Sequence, residues 1–199
     1  MDWIAVGLCA DIPAGTVVPR RVAGCDLAIW CSAAGRFHAW GDRCPHRGMR
    51  LSHGFVRGER LACIYHGWHY GGDGACSYIP AHPKLQPPGT IRVQDHACRQ
   101  QDEAVWVALE PTDADIPRIG SRRPVRSMDV GSAAGDVARQ LGHALSPLIV
   151  IGGAHDLALA LQPSTENTCM VHAFAAPDQD RKAVSRQLEQ MRAELEAMT

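Results

Sequence analysis

Two short segments of the sequence each pair a cysteine with a histidine. The first reads CPHRG from Cys44 to Gly48, and the second reads CIYHGW from Cys63 to Trp68. Thiolate and imidazole groups are metal ligands, and two of each suit a zinc ion or a cluster of two irons and two inorganic sulfides. The glycines allow tight backbone turns around a bound group. These residue types therefore indicate a metal centre shared by the two segments.

The order of these residues along the chain favours the iron–sulfur cluster over zinc. Zinc modules usually place a cysteine pair before a histidine pair or before a second cysteine pair. Here the order is cysteine, histidine, cysteine, histidine. In a [2Fe-2S] cluster with mixed ligands, one iron would be held by Cys44 and Cys63, and the other by His46 and His66. We therefore predict one such cluster per chain, with structural zinc as the alternative.

Both segments also resemble the Rieske domain of bacterial Rieske non-haem iron oxygenases, the ring-hydroxylating and demethylating enzymes. The resemblance rests on the runs CPHRGMRLSHG from Cys44 and CIYHGWHYGGDGACSYIP from Cys63. It extends outward to Trp3 and to the apolar stretch 104–109, so a Rieske domain is predicted over residues 1–117. The resemblance implies that the same two cysteines and two histidines are the cluster ligands.

Two departures from the respiratory Rieske proteins indicate the oxygenase type of centre. Respiratory proteins carry an extra cysteine in each loop, whereas this chain has Met49 and Tyr65, so that disulfide cannot form. They also tend to place a serine where this chain has Trp68, and fewer hydrogen bonds to sulfur predict a low reduction potential. Met49, Trp68 and Tyr70 adjoin the ligands in sequence and are predicted to shield the cluster.

Positive charge is concentrated around the first segment. Between residues 36 and 60 the chain has six arginines and only two acidic residues. Arg43, Arg47 and Arg50 are therefore predicted to form a docking surface for a redox partner with an acidic face. The alternative is that some of these arginines bond within the fold, and Arg47, which lies inside the ligand loop, is the first candidate for that role.

The elements that must position the site are mainly β-strands. Apolar residues alternate with polar ones, and glycine or proline separates the runs, which predicts strands over residues 3–8, 16–22, 27–32, 36–40, 60–64, 67–70, 90–95 and 104–109. We expect an antiparallel β-sandwich with a cluster-binding lobe. Residues 80–89 are predicted as a stiff, extended, proline-rich loop, and residues 118–124 as a linker.

Residues 125–199 are predicted to form a small α+β domain with a helix packed on a sheet. Strands are expected at 125–130, 148–152, 157–162 and 169–173, and a helix at 133–145. The last helix is expected over 178–198, with Asp178 as its N-cap and an apolar stripe that includes Leu188 and Met198. That stripe could instead be a dimer seam, although core packing is favoured on so short a helix.

The C-terminal part resembles the two ends of the helix-grip catalytic domain of Rieske oxygenases, with its middle missing. The resemblance implies that the missing portion would carry a mononuclear iron held by two histidines and a carboxylate. The nearby candidates here are His143, His155, Asp156, Glu166 and His172, and their spacing is scattered. We therefore predict that this chain lacks a complete mononuclear Fe(II) site.

Composition sets limits on the function. The chain has 199 residues, 46% of them hydrophobic, and a formal net charge of −1, which is typical of a soluble globular protein and predicts neither nucleic-acid nor membrane partners. The remaining cysteines are expected to be reduced thiols: Cys9, Cys25, Cys31, Cys76, Cys98 and Cys169. No signal peptide is recognisable, so the expected location is cytoplasmic.

Three functions remain open. The first is an oxidoreductase component that relays electrons from a reductase or ferredoxin to a mononuclear non-haem iron on a catalytic oxygenase chain. The second is a self-contained small Rieske oxygenase, a monooxygenase or demethylase, with an unrecognised iron site. The third is a redox-sensing binding protein. The resemblance implies that trimers are a plausible oligomeric state, and the substrate is not predictable from these residues.

Overall fold

The computed structural model describes residues 2–152 and 156–197. Within that part of the chain all the strand pairing is antiparallel, and the strands form three sheets. In chain order the strands are β1 (Ile4–Leu8), β2 (Val17–Val22), β3 (Cys25–Cys31), β4 (Phe37–Gly41), β5 (Phe55–Arg57), β6 (Arg60–Ala62), β7 (His69–Gly71), β8 (Cys76–Tyr78), β9 (Asp95–Gln101), β10 (Ala104–Ala108), β11 (Arg123–Val130), β12 (Leu148–Ile151), β13 (Leu157–Pro163) and β14 (Cys169–Ala175). The helices are α1 (Ala134–Gln140) and α2 (Arg181–Ala197).

The largest sheet has the order β1-β10-β9-β4-β3-β2, and its strands β1, β3 and β10 carry apolar residues that are buried on both faces. Leu27 and Ile29 of β3 point into the interior of the sandwich, whereas Trp30, on the opposite face, packs towards the cluster-binding lobe. Successive side chains of a strand point to opposite faces, so a strand that is buried on both sides needs a continuous apolar run. The sandwich therefore supports a second layer on each side.

The cluster-binding lobe is the four-stranded sheet β5-β6-β7-β8. Its core is formed by Leu51, Leu61 and Tyr70, which are all fully buried against Trp30 and Trp40 of the sandwich. The aromatic rings of Trp30 and Trp40 meet edge to face, with centroids 4.9 Å apart. Such contacts add to the burial of apolar area, so the lobe is held on a rigid aromatic base.

The C-terminal sheet has the order β11-β14-β13-β12 and lies between two apolar layers. Leu159 and Val171 face the helices, where Leu188 of α2 is fully buried. On the opposite face of the sheet, Phe174 packs in one cluster with Trp106 of the sandwich. The predicted helix-on-sheet arrangement and the mainly β fold class are confirmed, and the sheet is in addition packed directly on the Rieske-like sandwich.

Some predicted strands are displaced in the structure. The strand expected at 90–95 begins only at Asp95 and continues to Gln101, while β5 and β8 were not predicted. Ile91 and Val93 do alternate with polar residues, but both pack into the lobe core, and the only bridge of that segment joins Arg92 to Ala75. The Ile91 carbonyl accepts from the Cys76 N–H and the Val93 N–H donates to the Gly74 carbonyl, but this single bridge is not extended into a strand.

The loop at residues 80–89 is not uniformly extended. The backbone N–H of His82 donates to the carbonyl of Ile79, and the N–H of Leu85 donates to the carbonyl of His82. These bonds form consecutive turns in the first half of the loop, so the expectation of a fully extended segment was wrong there. The prolines after Leu85 cannot donate such bonds, and no helix or strand is formed between residues 86 and 89.

Both helices are shorter than predicted, for identifiable reasons. Helix α1 ends before Gly142, which has a φ of 79° and whose N–H donates to the carbonyl of Arg139, a common way of closing a helix. At the start of α2 the Asp180 carboxylate accepts from the Lys182 N–H at 3.0 Å, so Asp180, and not Asp178, caps this helix. The predicted stripe residue Met198 lies outside the described residues.

The segment predicted as a linker, residues 118–124, is held against both parts of the fold. Ile119 is fully buried in the core between the sandwich and the C-terminal sheet. Its N–H donates to the carboxylate of Asp102 at 2.9 Å, and Arg122 forms an ion pair with Asp156. Strand β11 already begins at Arg123. The two predicted domains therefore meet through an ordered, packed connection.

Candidate metal centre

The two predicted ligand segments form loops with the same backbone geometry. In the first loop, which follows β4, the Gly48 N–H donates to the Cys44 carbonyl at 2.8 Å. In the second, between β6 and β7, the Gly67 N–H donates to the Cys63 carbonyl at 2.9 Å. Gly48 and Gly67 have φ angles of 71° and 68°, a left-handed conformation that glycine adopts without strain. Each loop therefore turns tightly, with its cysteine on the inner side.

The two thiols lie inside the lobe. Cys44 and Cys63 are each 3% exposed and belong to the same apolar core. Neither forms a disulfide within the described residues. Burial raises the pKa of the Cys63 thiol, and the neighbouring Cys44 thiol raises it further. Two adjoining buried sulfurs are costly to ionise on their own, whereas iron binding would compensate both charges.

The two imidazoles lie outside the thiols, at the surface. The rings of His46 and His66 meet edge to face with centroids 4.7 Å apart, and His66 is exposed. Trp68 stacks on His46 at 4.1 Å, with only 6° between the ring planes, and Tyr65 packs on His66 at 3.9 Å. The aromatic neighbours restrict the orientations of both imidazoles and hold the two rings against each other.

This arrangement fits a [2Fe-2S] cluster better than a single metal ion. The donors are separated into an inner sulfur pair and an outer nitrogen pair, as a cluster with two cysteine and two histidine ligands requires. No group of three or more His, Cys, Asp or Glu side chains within residues 2–152 and 156–197 is arranged to hold one ion. A tetrahedral zinc site would need such convergence.

The three residues predicted to shield the cluster all lie around these donors. Tyr70 is fully buried, while Met49 and Trp68 are half-buried and pack against the lobe core. The Tyr70 hydroxyl is also within hydrogen-bond distance of the Cys44 sulfur, at 3.1 Å. Burial strongly raises the pKa of Tyr70, so it stays a phenol. The sequence carried no signal for this contact, because the two residues are far apart in the chain.

The three predicted docking arginines differ in their environments. Arg50 forms ion pairs with Asp26 at 2.9 Å and with Asp42 at 3.2 Å, so its guanidinium is used within the fold. Arg43 is exposed and donates to the Gly48 carbonyl at 3.2 Å. Arg47 is exposed and makes no hydrogen bond or ion pair with another residue that the structure describes. The structural arginine is therefore Arg50, and the expectation that placed Arg47 first was wrong.

Asp42 is a positioning residue that the sequence reasoning missed. Its side chain is completely buried, and it accepts hydrogen bonds at 2.7 Å from both the N–H and the hydroxyl of Ser52. Together with its ion pair to Arg50, these bonds join the end of β4 to the segment after the first ligand loop. A buried carboxylate needs this degree of compensation. An acidic residue one position before an arginine in a loop gave no sequence signal for burial.

The residues that were considered as ligands of a mononuclear iron lie in environments that differ from one another. His143 and Glu166 are exposed, and Asp156 is paired with Arg122. The fully buried ring of His172 is bonded to Ser127 at 2.9 Å and to Gln162 at 3.1 Å. His155 lies outside the described residues. The described members of this set do not form a group that could hold a metal ion.

Comparison with known proteins agrees with this geometry. Residues 2–94 match the family model of the Rieske [2Fe-2S] domain. The chain therefore contains a Rieske [2Fe-2S] domain, and its cofactor is the [2Fe-2S] cluster that defines such domains. The resemblance to Rieske proteins is confirmed, and a role in electron transfer follows from this domain.

This chain matches its named relatives over only part of their length. The oxidoreductase NdmD of Pseudomonas putida is 38% identical over 109 residues, which is 54% of this chain and 18% of that protein. The 4beta-methylsterol monooxygenase of Methylococcus capsulatus is 38% identical over 133 residues, which is 61% of this chain and 36% of the relative. The chain thus matches well under half of either relative.

Solved structures show the same fold over nearly the whole chain. The Pseudomonas putida CBB5 NdmA QL mutant with theobromine aligns with a TM-score of 0.80 at 18% identity, covering 98% of this chain and 80% of that chain. Dicamba monooxygenase bound to dicamba aligns with a TM-score of 0.79 at 19% identity, covering 98% and 86%. The overall fold is therefore the Rieske oxygenase fold. No helix in the described residues is long and apolar enough to cross a membrane.

Proposed function

We propose that this chain is the electron-transfer component of a Rieske oxygenase system. It would receive electrons from a reductase or ferredoxin and pass them to a mononuclear non-haem iron on a partner chain. The observation that supports this most directly is the pair of imidazoles at the surface, directly outside two buried thiols.

In this proposal Cys44 and Cys63 hold the inner iron, and His46 and His66 hold the outer one. The bound cluster supplies reversible one-electron chemistry. Met49, Trp68 and Tyr70 exclude water from the sulfur side, and the Tyr70 hydroxyl donates to the Cys44 sulfur. The low-dielectric surroundings strengthen that hydrogen bond.

The exposed edge of His66 is the proposed exit for electrons. Each ligand histidine uses one ring nitrogen for iron, and its other ring nitrogen can carry a proton and donate a hydrogen bond to a docked acceptor. His66 is exposed, whereas His46 is half-buried beneath Trp68. A carboxylate or imidazole of the partner would therefore meet His66 first.

The proposed docking surface consists of Arg43, Arg47, Ile64 and Tyr65 around His66. Ile64 is 49% exposed and Tyr65 is 55% exposed, which is unusual for apolar side chains of that size. The two exposed arginines add positive charge beside this apolar centre. Arg50 is excluded because its ion pairs occupy it. A partner with an acidic rim and an apolar centre would fit, with an association rate that falls as salt is added.

The docking proposal is tested by charge reversal. R43E and R47E should slow reduction of the acceptor oxygenase severalfold at low ionic strength, with the difference from wild type vanishing in high salt. R186E is the matched control, because Arg186 is an exposed arginine on α2, away from the cluster loops, and changes the net charge equally. Equal slowing by R186E would refute a local docking surface.

A self-contained oxygenase is the second candidate. Its support is that the fold of nearly the whole chain, including the C-terminal sheet, aligns with complete Rieske oxygenases. Metal analysis separates the two candidates. An electron-transfer component should contain two irons and two acid-labile sulfides per chain, with a low average g value in the EPR spectrum of the reduced protein. A third iron would favour the second candidate, and zinc without sulfide would refute both.

A further inference from the structure

Strand β12 is an open edge of the C-terminal sheet. The strand order β11-β14-β13-β12 leaves one side of β12 without a neighbouring strand among the described residues. Its register with β13 places Leu148 opposite Ala160 and Val150 opposite Ala158. An unpaired strand edge is a template for pairing with another chain.

The backbone groups that point outward from this edge can be identified. The Leu161 N–H donates to the Pro147 carbonyl at 3.1 Å, which makes these two residues a hydrogen-bonded pair of the ladder. In an antiparallel ladder such pairs alternate with non-bonded pairs, so Ile149 and Ile151 also bond to β13. The N–H and carbonyl groups of Leu148 and Val150 therefore point away from β13. The Leu148 N–H reaches only the Ser146 hydroxyl, at 3.5 Å.

The two edges of this sheet differ sharply in composition. Strand β11, at the other edge, contains Arg123, Pro124, Arg126 and Asp129 and has a bulge between Pro124 and Arg126. Charges, proline and bulges are the usual protection of an edge against pairing. Strand β12 reads LIVI and has none of them, and residues 142–152 contain no Asp, Glu, Lys or Arg.

The side chains at the β12 edge are unusually exposed for their type. Val150 is 44% exposed, and Leu145, just before the strand, is 52% exposed. Ile149 points to the helix side and is buried, whereas Leu148 packs partly against the core between the two domains. The edge thus presents an apolar side chain next to unpaired backbone groups.

We propose that β12 pairs with β12 of a second copy of this chain, in antiparallel orientation about a two-fold axis at Ile149. The outward-pointing residues Leu148 and Val150 flank Ile149 symmetrically, so Leu148 of one copy lies opposite Val150 of the other. Both residues then exchange their free backbone hydrogen bonds, and their side chains meet on the same face of the sheet.

A second copy fits this edge better than a charged partner. The self-pairing is closed by two-fold symmetry, and the uncharged segment brings no like charges together. The two C-terminal sheets become one continuous sheet. This inference does not depend on the proposed electron-transfer function, because β12 lies in the C-terminal sheet and not in the cluster-binding lobe.

Sedimentation equilibrium of the cluster-loaded protein tests the proposal. The weight-average mass should rise with concentration from 21.5 kDa towards twice that value. The V150K variant places a charge on the edge and should remain at the monomer mass at every concentration. L85K is the matched control, because Leu85 is 52% exposed in the loop beside the lobe, and it should dimerise as wild type does. Unchanged far-ultraviolet circular dichroism shows that each variant, including its C-terminal sheet, is folded.

Amide hydrogen exchange adds a local measurement on the same samples. The Val150 N–H should become protected as wild-type protein is concentrated and should exchange rapidly in dilute solution. Wild-type protein that stays monomeric or forms trimers, or V150K that dimerises like wild type, would overturn the proposal. Protection of Val150 only when a catalytic oxygenase chain is added would also overturn it, and would assign the edge to that partner.

Discussion

Protonation of His172 should destabilise the folded protein as the pH falls below neutrality. This histidine is completely buried where the C-terminal sheet meets the sandwich. Burial, assisted by the nearby Arg20 guanidinium, lowers the pKa of His172 from 6.5 to about 3. The unfolded chain therefore binds a proton at a higher pH than the folded protein does. The free energy of unfolding therefore has its full value above the pKa of His172 in the unfolded chain, and it decreases as the pH falls from about 6.5 towards 3.

The size of the effect follows from that difference in pKa. Each unit of pH between the two values costs about 1.4 kcal/mol, so lowering the pH to about 5 should remove about 2 kcal/mol from the free energy of unfolding. In the neutral ring, Nε2–H donates to the Gln162 carbonyl oxygen, because the Gln162 amide nitrogen donates to the Arg21 carbonyl. The other ring nitrogen lies 2.9 Å from the Ser127 hydroxyl, and it can accept from this hydroxyl in the state in which Ser127 does not donate to Asp11.

A competing protonation state of His172 would change the stability in the opposite direction as the pH falls. The Ser127 hydroxyl also lies 2.9 Å from the carboxylate of Asp11, so a charged His172 could donate to Ser127 while Ser127 donates to Asp11. That chain would raise the pKa of His172. We expect desolvation to dominate, because Asp11 is exposed and reaches the ring only through the serine, whereas the ring is fully buried beside the positive charge of Arg20.

Urea unfolding of wild type and H172Q at about pH 7.5 and about pH 5 distinguishes these states. Wild type should lose about 2 kcal/mol more than H172Q over this interval, and H143Q, at an exposed histidine, should behave as wild type. A wild type that gains stability relative to H172Q on acidification would refute the reasoning. It would show that the Asp11–Ser127–His172 chain holds a proton.

Three further outcomes are expected. C63S should abolish the visible absorbance of the cluster, whereas C76S should retain it; equal loss in both variants would contradict the ligand assignment. W68A should expose the cluster to water, shift its reduction potential and shorten its lifetime in air, and unchanged values would exclude a shielding role. D42N should lower the free energy of unfolding by about 3 kcal/mol in urea titrations, because it leaves buried groups incompletely paired. D178N, at an exposed aspartate, should have no measurable effect, and a loss as large as that of D42N would argue against a specific role for burial.

Strand prediction succeeded where the residues of a single strand were enough to indicate that strand. Val17–Val22 and Cys25–Cys31 are rich in strand-forming residues and are separated by a turn with a glycine, and both lie within a residue or two of their predicted bounds. The short strands β5 and β8 were missed because three residues show no periodicity. Their formation depends on pairing with β6 and β7, which lie elsewhere in the lobe. Local pattern cannot report a hydrogen-bond partner that tertiary folding brings into place.

The candidate metal-binding residues could be predicted from the sequence because the prediction depends on local chemistry. A cysteine, a histidine and a glycine within five or six residues must form a tight loop, and two such loops in the order found here match few metal centres. The residues that support the site were not accessible. Tyr70 reaches Cys44, and Arg50 reaches Asp26, across distances in the chain that carry no recognisable spacing.

The sequence by itself determined the class of cofactor and the mainly β architecture, because these follow from residue types and short-range periodicity. Only the tertiary structure decided which charged groups are free. Arg50 is neutralised by buried and half-buried carboxylates, and Arg47 is left exposed. The outer side of β12 has no neighbouring strand among the described residues, whereas the edge strand β11 is protected by charges, a proline and a bulge. The physical reason is that desolvation and pairing depend on what lies across space from a side chain, and these surroundings are set only when the chain has folded.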